Sequence, residues 1–148
     1  RGAYNFNFVQ QFCFMKNSIA QSSDGLKLIL GVLLAFIAIN AFGGGSYGMM
    51  SPKELPKEWL EGSPFSSFFI PSLILFVVVG GSHLIAAFCV LRHRKGAYVT
   101  ALLAGLVLLV WILVQVAIIG FVSFLQPLMA RLAVVVLVLT TQLKSRLN

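Results

Sequence analysis

Apolar residues fall in four long runs, at about 26–42, 68–91, 97–124 and 127–143, and polar residues gather between them. About 20 residues of helix cross a hydrocarbon core of about 30 Å, so each run is long enough, or nearly so, to span a bilayer. In lipid only a helix or a closed barrel satisfies the backbone, and barrel strands need only about 9–11 residues. The pattern therefore predicts an all-α fold, an integral membrane four-helix bundle. Ser23 or Asp24 is expected to cap the first span, and Gly43, Gly44 and Gly45 to end it. Lys27 would then snorkel to the headgroups. Pro71 lies in the first turns of span two, where it is expected to kink the helix, and Gln126-Pro127 marks the turn before span four.

The remaining segments are an N-terminal extension (1–25), a loop between the first two spans (43–67) and a basic tail (144–148). Met15-Lys16-Asn17-Ser18 reads as a natural start, which sets residues 1–14 apart from the fold. A cleaved signal peptide is the competing reading of the first run, but three further spans follow and no small-residue cleavage site is convincing. In the 43–67 loop, Ser51-Pro52-Lys53-Glu54 has capping-box spacing and predicts one or two helical turns over 52–60. Trp59 is expected to anchor them in the interface, as a tethered loop or as a lid.

Composition agrees with the pattern. The charged fraction is 10% and the hydrophobic fraction 59%, whereas a soluble domain carries about 25% charged residues. A net charge of +7 would suggest a nucleic-acid partner in a soluble chain. Here the cations sit at the ends of apolar runs, and no nucleic-acid partner is expected. Arg92, Arg94 and Lys95 crowd one five-residue loop, which should be cytoplasmic. Four spans then place both termini inside, with eight basic residues on that side and three (Lys53, Lys57, Arg131) on the other. Arg131, one turn inside the outer boundary, should reach headgroups or hold an anionic lipid or substrate. Cys13 and Cys89 form no disulfide framework.

Candidate chemistry is sparse. His83 lies mid-span, where an ionisable residue is a functional candidate by default, as a proton carrier or a haem or metal ligand. A second mid-span histidine and a buried carboxylate are both missing from the sequence, so a neutral imidazole packed in the bundle is the expectation, with no cofactor. Gly80, Gly81 and Ser82 beside it, and Ala97, Ala101 and Gly105 at four-residue spacing in span three, predict close helix packing within the chain or in a homodimer. Counting about 1.5 Å per residue, Asn40 and Gln115 both lie about 6–7 Å outward of their span centres, with His83 about 11 Å lower. The two amides are therefore expected to bond each other.

Val78-Val79-Gly80-Gly81-Ser82-His83-Leu84, with Leu91-Arg92-His93-Arg94-Lys95-Gly96-Ala97, resembles the second span and inner loop of DoxX-like bacterial membrane proteins, small four-helix bundles of the plasma membrane. The resemblance covers about residues 63–125 and also takes in Ser63-Pro64-Phe65 and Ile70-Pro71, similar to uncharacterised bacterial four-span proteins. Where that pattern carries an acidic residue before the glycines, this chain has Val78 and Val79, so no catalytic residue is carried over. Walker, GxSxG, HExxH and zinc-spaced motifs do not occur. The expected function is that of a non-enzymatic accessory or structural subunit, partnered by the bilayer and another membrane protein. The alternative is a quinone- or haem-linked redox component, or a small-solute permease, using His83 and the mid-span amides.

Overall fold

The computed structural model describes residues 3–51, 67–121 and 123–147, with side-chain detail for 23–51, 67–118, 120, 121 and 123–145. The described residues are all-helical: α1 (Ala3–Met50), α2 (Phe69–Ile74), a π-helical segment (Leu75–Gly80), α3 (Gly81–Leu91), α4 (Ala97–Ile119) and α5 (Leu125–Leu147). Four stretches are long and apolar enough to cross a membrane, Ser23–Met50, Phe69–Leu91, Ala97–Ile118 and Leu125–Ser145. By length and composition these four helices suit an integral membrane protein. Its second span comprises α2, the π segment and α3, joined end to end.

The helices form a closed ring. α1 packs against the second span and α5, and α4 packs against the second span and α5. Spans one and three therefore face each other across the diagonal. The centre is filled by Leu30, Leu34, Ile37, Val79, Ala86, Val90, Ala101, Ala104 and Val136, each at most 1% exposed. Large apolar side chains such as Phe36, Ile39, Leu103 and Val110 point outward, as expected where the surrounding solvent is lipid.

Several predicted boundaries move. α1 does not stop at Gly43, Gly44 and Gly45 but continues to Met50. A helix end within the hydrocarbon would strand its last carbonyls away from any donor, and of the three glycines Gly45 serves close packing instead. A Cβ on Gly45 would lie 2.7 Å from Phe76 Cβ and 2.9 Å from the Ser72 carbonyl oxygen. Bare backbone at this point lets the two spans meet. At the other end, α1 already runs from Ala3, so Ser23 and Asp24 lie inside a helix rather than capping one, and residues 3–25 of the expected extension are continuous with span one.

Span three ends at Ile119, five residues earlier than expected, because Gly120 takes φ +71°. Its ψ is −162°, a combination open essentially to glycine alone. α5 then starts at Leu125, whose N–H donates to Ser123 Oγ at 3.2 Å. Pro127 falls in its first turn, where a missing N–H costs no hydrogen bond. The tail expected at 144–148 is helical through Leu147. Pro71 likewise lies in the first turn of α2, and the departure from α geometry comes later, at Leu75–Gly80. Trp59 and the predicted capping box lie outside the described residues apart from Ser51.

Candidate functional site

His83 is the centre of the only polar arrangement here that reaches the bundle interior through an ionisable side chain among the described residues. It stands on the first turn of α3, directly after the π segment, and is 0% exposed. Its Nδ1 lies 2.8 Å from the Val79 carbonyl oxygen, and Ser82 Oγ donates to the same carbonyl at 3.1 Å. A carbonyl only accepts, so Nδ1 carries the proton. In the neutral ring Nε2 is then a bare lone pair, and it has no hydrogen-bond partner among the described residues. Both bonds span the three- or four-residue offset of ordinary helical back-bonding, and they lie where the π segment gives way to α3.

The antiparallel register is set by two contacts. Gly80 receives the Phe42 ring, at 2.7 Å from its notional Cβ, and Gly31 receives the Leu91 side chain. His83 is therefore level with residues 38–40 of α1. At that height the buried neighbours on α1 are Ile37, Ala38 and Ala41, and those on the following turn of α3 are Ala86 and Ala87. The lining is small and apolar. Trp111 in α4 supplies a second buried polar atom without a partner, its indole Nε1.

This register corrects the expected amide pair. Asn40 is level with His83, not about 11 Å from it, because span one extends past the run 26–42 to Met50. Its side chain is exposed on the outside of α1 and donates to the Phe36 carbonyl at 2.8 Å, one turn back in its own helix. Gln115 lies about 15 Å further from the 92–96 turn, counted along the helices, on the helix diagonally opposite. The structure thus gives Asn40 a backbone partner where Gln115 was expected.

The small-residue set divides. Gly80 and Gly105 are packing positions: a Cβ on Gly105 would lie 2.9 Å from Leu137 Cδ2 and 3.2 Å from Val136 Cγ1. Ala101 is fully buried and Ala97 packs against the core. Ser82 is half-buried and bonds its own helix. Gly81 has nothing within 4 Å of its notional Cβ, so it is not a contact point. Gly31 and Gly45 do this work on span one. Only their facing partners, Leu91, Phe76 and Ser72, reveal it.

The two histidines are not brought together. His93 sits at φ 52° in the turn before α4, with Nδ1 3.0 Å from Lys27 Nζ. Lys27 also pairs with Asp24 Oδ1 at 3.1 Å. A haem held between two histidines does not fit this chain, and among the described residues no group of three or more His, Cys, Asp or Glu side chains could hold a metal ion. What the 92–96 turn does assemble is positive charge. Arg92 lies over the Phe88 ring at 5.2 Å, Lys144 over Tyr98 at 5.0 Å, and Arg94 and Lys95 are exposed between them in sequence.

The turn between α4 and α5 is built by Gln126, 5% exposed. Its Nε2 donates to the Gly120 carbonyl at 3.2 Å, and its Oε1 receives the Ser123 N–H at 3.4 Å. Sequence reasoning marked this residue as a turn signal and missed its clamp role. Arg131 is exposed on α5 just inside this turn. Comparison with known protein families, with curated proteins and with solved structures returns no match.

Proposed function

We propose that the chain is a non-catalytic accessory or structural subunit of a membrane assembly, inserted in a bacterial plasma membrane with both termini in the cytoplasm. The observation that carries this reading is where the membrane-embedded polar side chains go. Asn40, Ser82, Thr140 and Thr141 each donate to a carbonyl three or four residues back in their own helix, at 2.8, 3.1, 2.6 and 2.8 Å. Proteins that move ions or substrates converge polar groups from different helices on one point near the midplane. Here these groups close locally, and Gly31, Gly45, Gly80 and Gly105 are filled by the chain's own side chains. A partner would therefore meet the large outward apolar residues.

Photocrosslinkers placed singly at Ile39, Leu103 and Val135 test this reading in native membranes. The expected result is one protein species crosslinked from one face only. Lipid adducts alone at all three positions, with solute uptake by the purified chain in vesicles, would overturn it.

The orientation rests on the eight-to-three bias of basic residues. In a chain with Cys13 and Cys89 replaced, a cysteine at position 57 is expected to react with an impermeant maleimide in intact cells. One at position 94 is expected to react only after permeabilisation. The reverse pattern would invert the topology.

A second reading, a quinone-linked redox component or a permease, draws on one observation, the unpartnered Nε2 of His83. A ligand hydroxyl could donate to it, and the test is whether such a ligand stabilises the chain through that atom.

A further inference from the structure

We propose that the basic end of the bundle is a binding site for the headgroup of an anionic phospholipid. Four cations gather there from three places: Lys27 on α1, Arg92 and Lys95 around the 92–96 turn, and Lys144 on α5. Arg94 adds a fifth. Asp24 is the only carboxylate among the described residues, and Lys27 already neutralises it at 3.1 Å. The other three carboxylates of the chain, Glu54, Glu58 and Glu61, belong to the segment that joins the opposite ends of spans one and two. Among the described residues no ion pair to a carboxylate involves Arg92, Arg94, Lys95 or Lys144.

The way two of these cations are held favours an anion. Arg92 and Lys144 rest on aromatic faces, Phe88 and Tyr98, at 5.2 and 5.0 Å. A ring face orients a cation through its quadrupole and takes up none of its N–H donors in a salt bridge. The guanidinium and ammonium groups are thus positioned yet free to donate to phosphate oxygens. Lys27 is fixed a third way, by His93 Nδ1 at 3.0 Å, which ties α1 to the 92–96 turn. The cations sit at the ends of membrane-spanning helices, beside Tyr98 and Phe88, at the level where a bilayer places its phosphates. That position commits the site to a lipid headgroup rather than a soluble phosphate. The proposal is independent of the accessory-subunit reading and of which leaflet this end occupies.

Native mass spectrometry of the full chain in nonionic micelles, titrated with phosphatidylglycerol or phosphatidylcholine, provides the test. Phosphatidylglycerol is expected to bind about tenfold or more tightly than phosphatidylcholine, since each Lys or Arg near the surface contributes about fivefold. The preference should shrink as salt is raised. Arg92→Gln with Lys144→Gln should remove most of it, whereas Arg131→Gln at the other end should leave it unchanged. Both substituted residues of the double variant are exposed, and the salt titration on the unaltered chain covers the case of a variant that fails to fold. Equal binding of the two lipids, or an equal loss in Arg131→Gln, would reduce these residues to topology anchors. Displacement of phosphatidylglycerol by millimolar inorganic phosphate would assign the site to a soluble anion and overturn the lipid assignment.

Discussion

Gly45→Ala is expected to lower the stability of the bundle by about 2–3 kcal/mol, and Gly45→Ile by more, because overpacking an interface that cannot relax costs that much or above. The contact it would violate is with backbone. The notional Cβ lies 2.7 Å from Phe76 Cβ, 2.9 Å from the Ser72 carbonyl oxygen and 3.0 Å from the Phe76 amide nitrogen. No rotamer change removes those atoms, so the two spans must separate, which loosens the neighbouring Phe42–Phe76 edge contact, now 4.7 Å between ring centroids. Gly43 is the control. Nothing lies within 4 Å of its notional Cβ, and Gly43→Ala should be neutral or stabilise by up to about 1 kcal/mol through helix propensity. Unfolding in mixed micelles with rising dodecyl sulfate reads both. If the two alanine variants unfolded together, the close approach at Gly45 would be absent in the membrane.

That contrast also shows how far the sequence could be read. The four spans were legible because long apolar runs have one solution in lipid. The C-terminal end of span one was not, because a triple glycine that would terminate a helix in water is carried through as helix here, with Gly45 as the packing notch. The difference lies in Ser72 and Phe76, which no local pattern in residues 43–45 reveals. The end of span three was obscured for the opposite reason. Hydropathy continues through Phe124, and only the backbone of Gly120 marks the break. The misplaced helix ends then carried into the depth count and produced an amide pair between helices that stand on a diagonal. The burial of His83 was legible from its place mid-span. Its free Nε2 was not, because that depends on the rotamer that turns Nδ1 to the Val79 carbonyl one turn back. The Lys27–His93 contact links residues 66 apart and follows only once both are known to share one end of the bundle.

His83→Ala is expected to destabilise by about 3 kcal/mol, in the range for deleting a buried large side chain and leaving a cavity. His83→Leu should recover most of that. It restores the volume and removes both ring nitrogens together, and replacing a polar group and its need for a partner by an apolar one is close to neutral. The Val79 carbonyl keeps Ser82 Oγ at 3.1 Å in that variant, so no new acceptor is stranded. Stability alone would not separate a packing residue from a ligand-binding one, since both roles predict this order. The added measurement is the unfolding midpoint with a short-chain quinol, whose hydroxyl can donate to Nε2. In the accessory-subunit reading the quinol shifts neither the native chain nor His83→Leu. Nitrogen NMR should then show Nδ1 protonated and Nε2 unprotonated, with or without the quinol. A ligand that bound only the folded state at a hundred times its Kd would add about 2.7 kcal/mol, enough to see. A stabilisation of that size in the native chain that vanishes in His83→Leu would assign Nε2 to a bound ring and replace the accessory reading with the redox one. The interior opposes that outcome. His83 is 0% exposed and Ile37, Ala38, Ala41, Ala86 and Ala87 are buried near its level, so admitting a quinol would require packed helices to part.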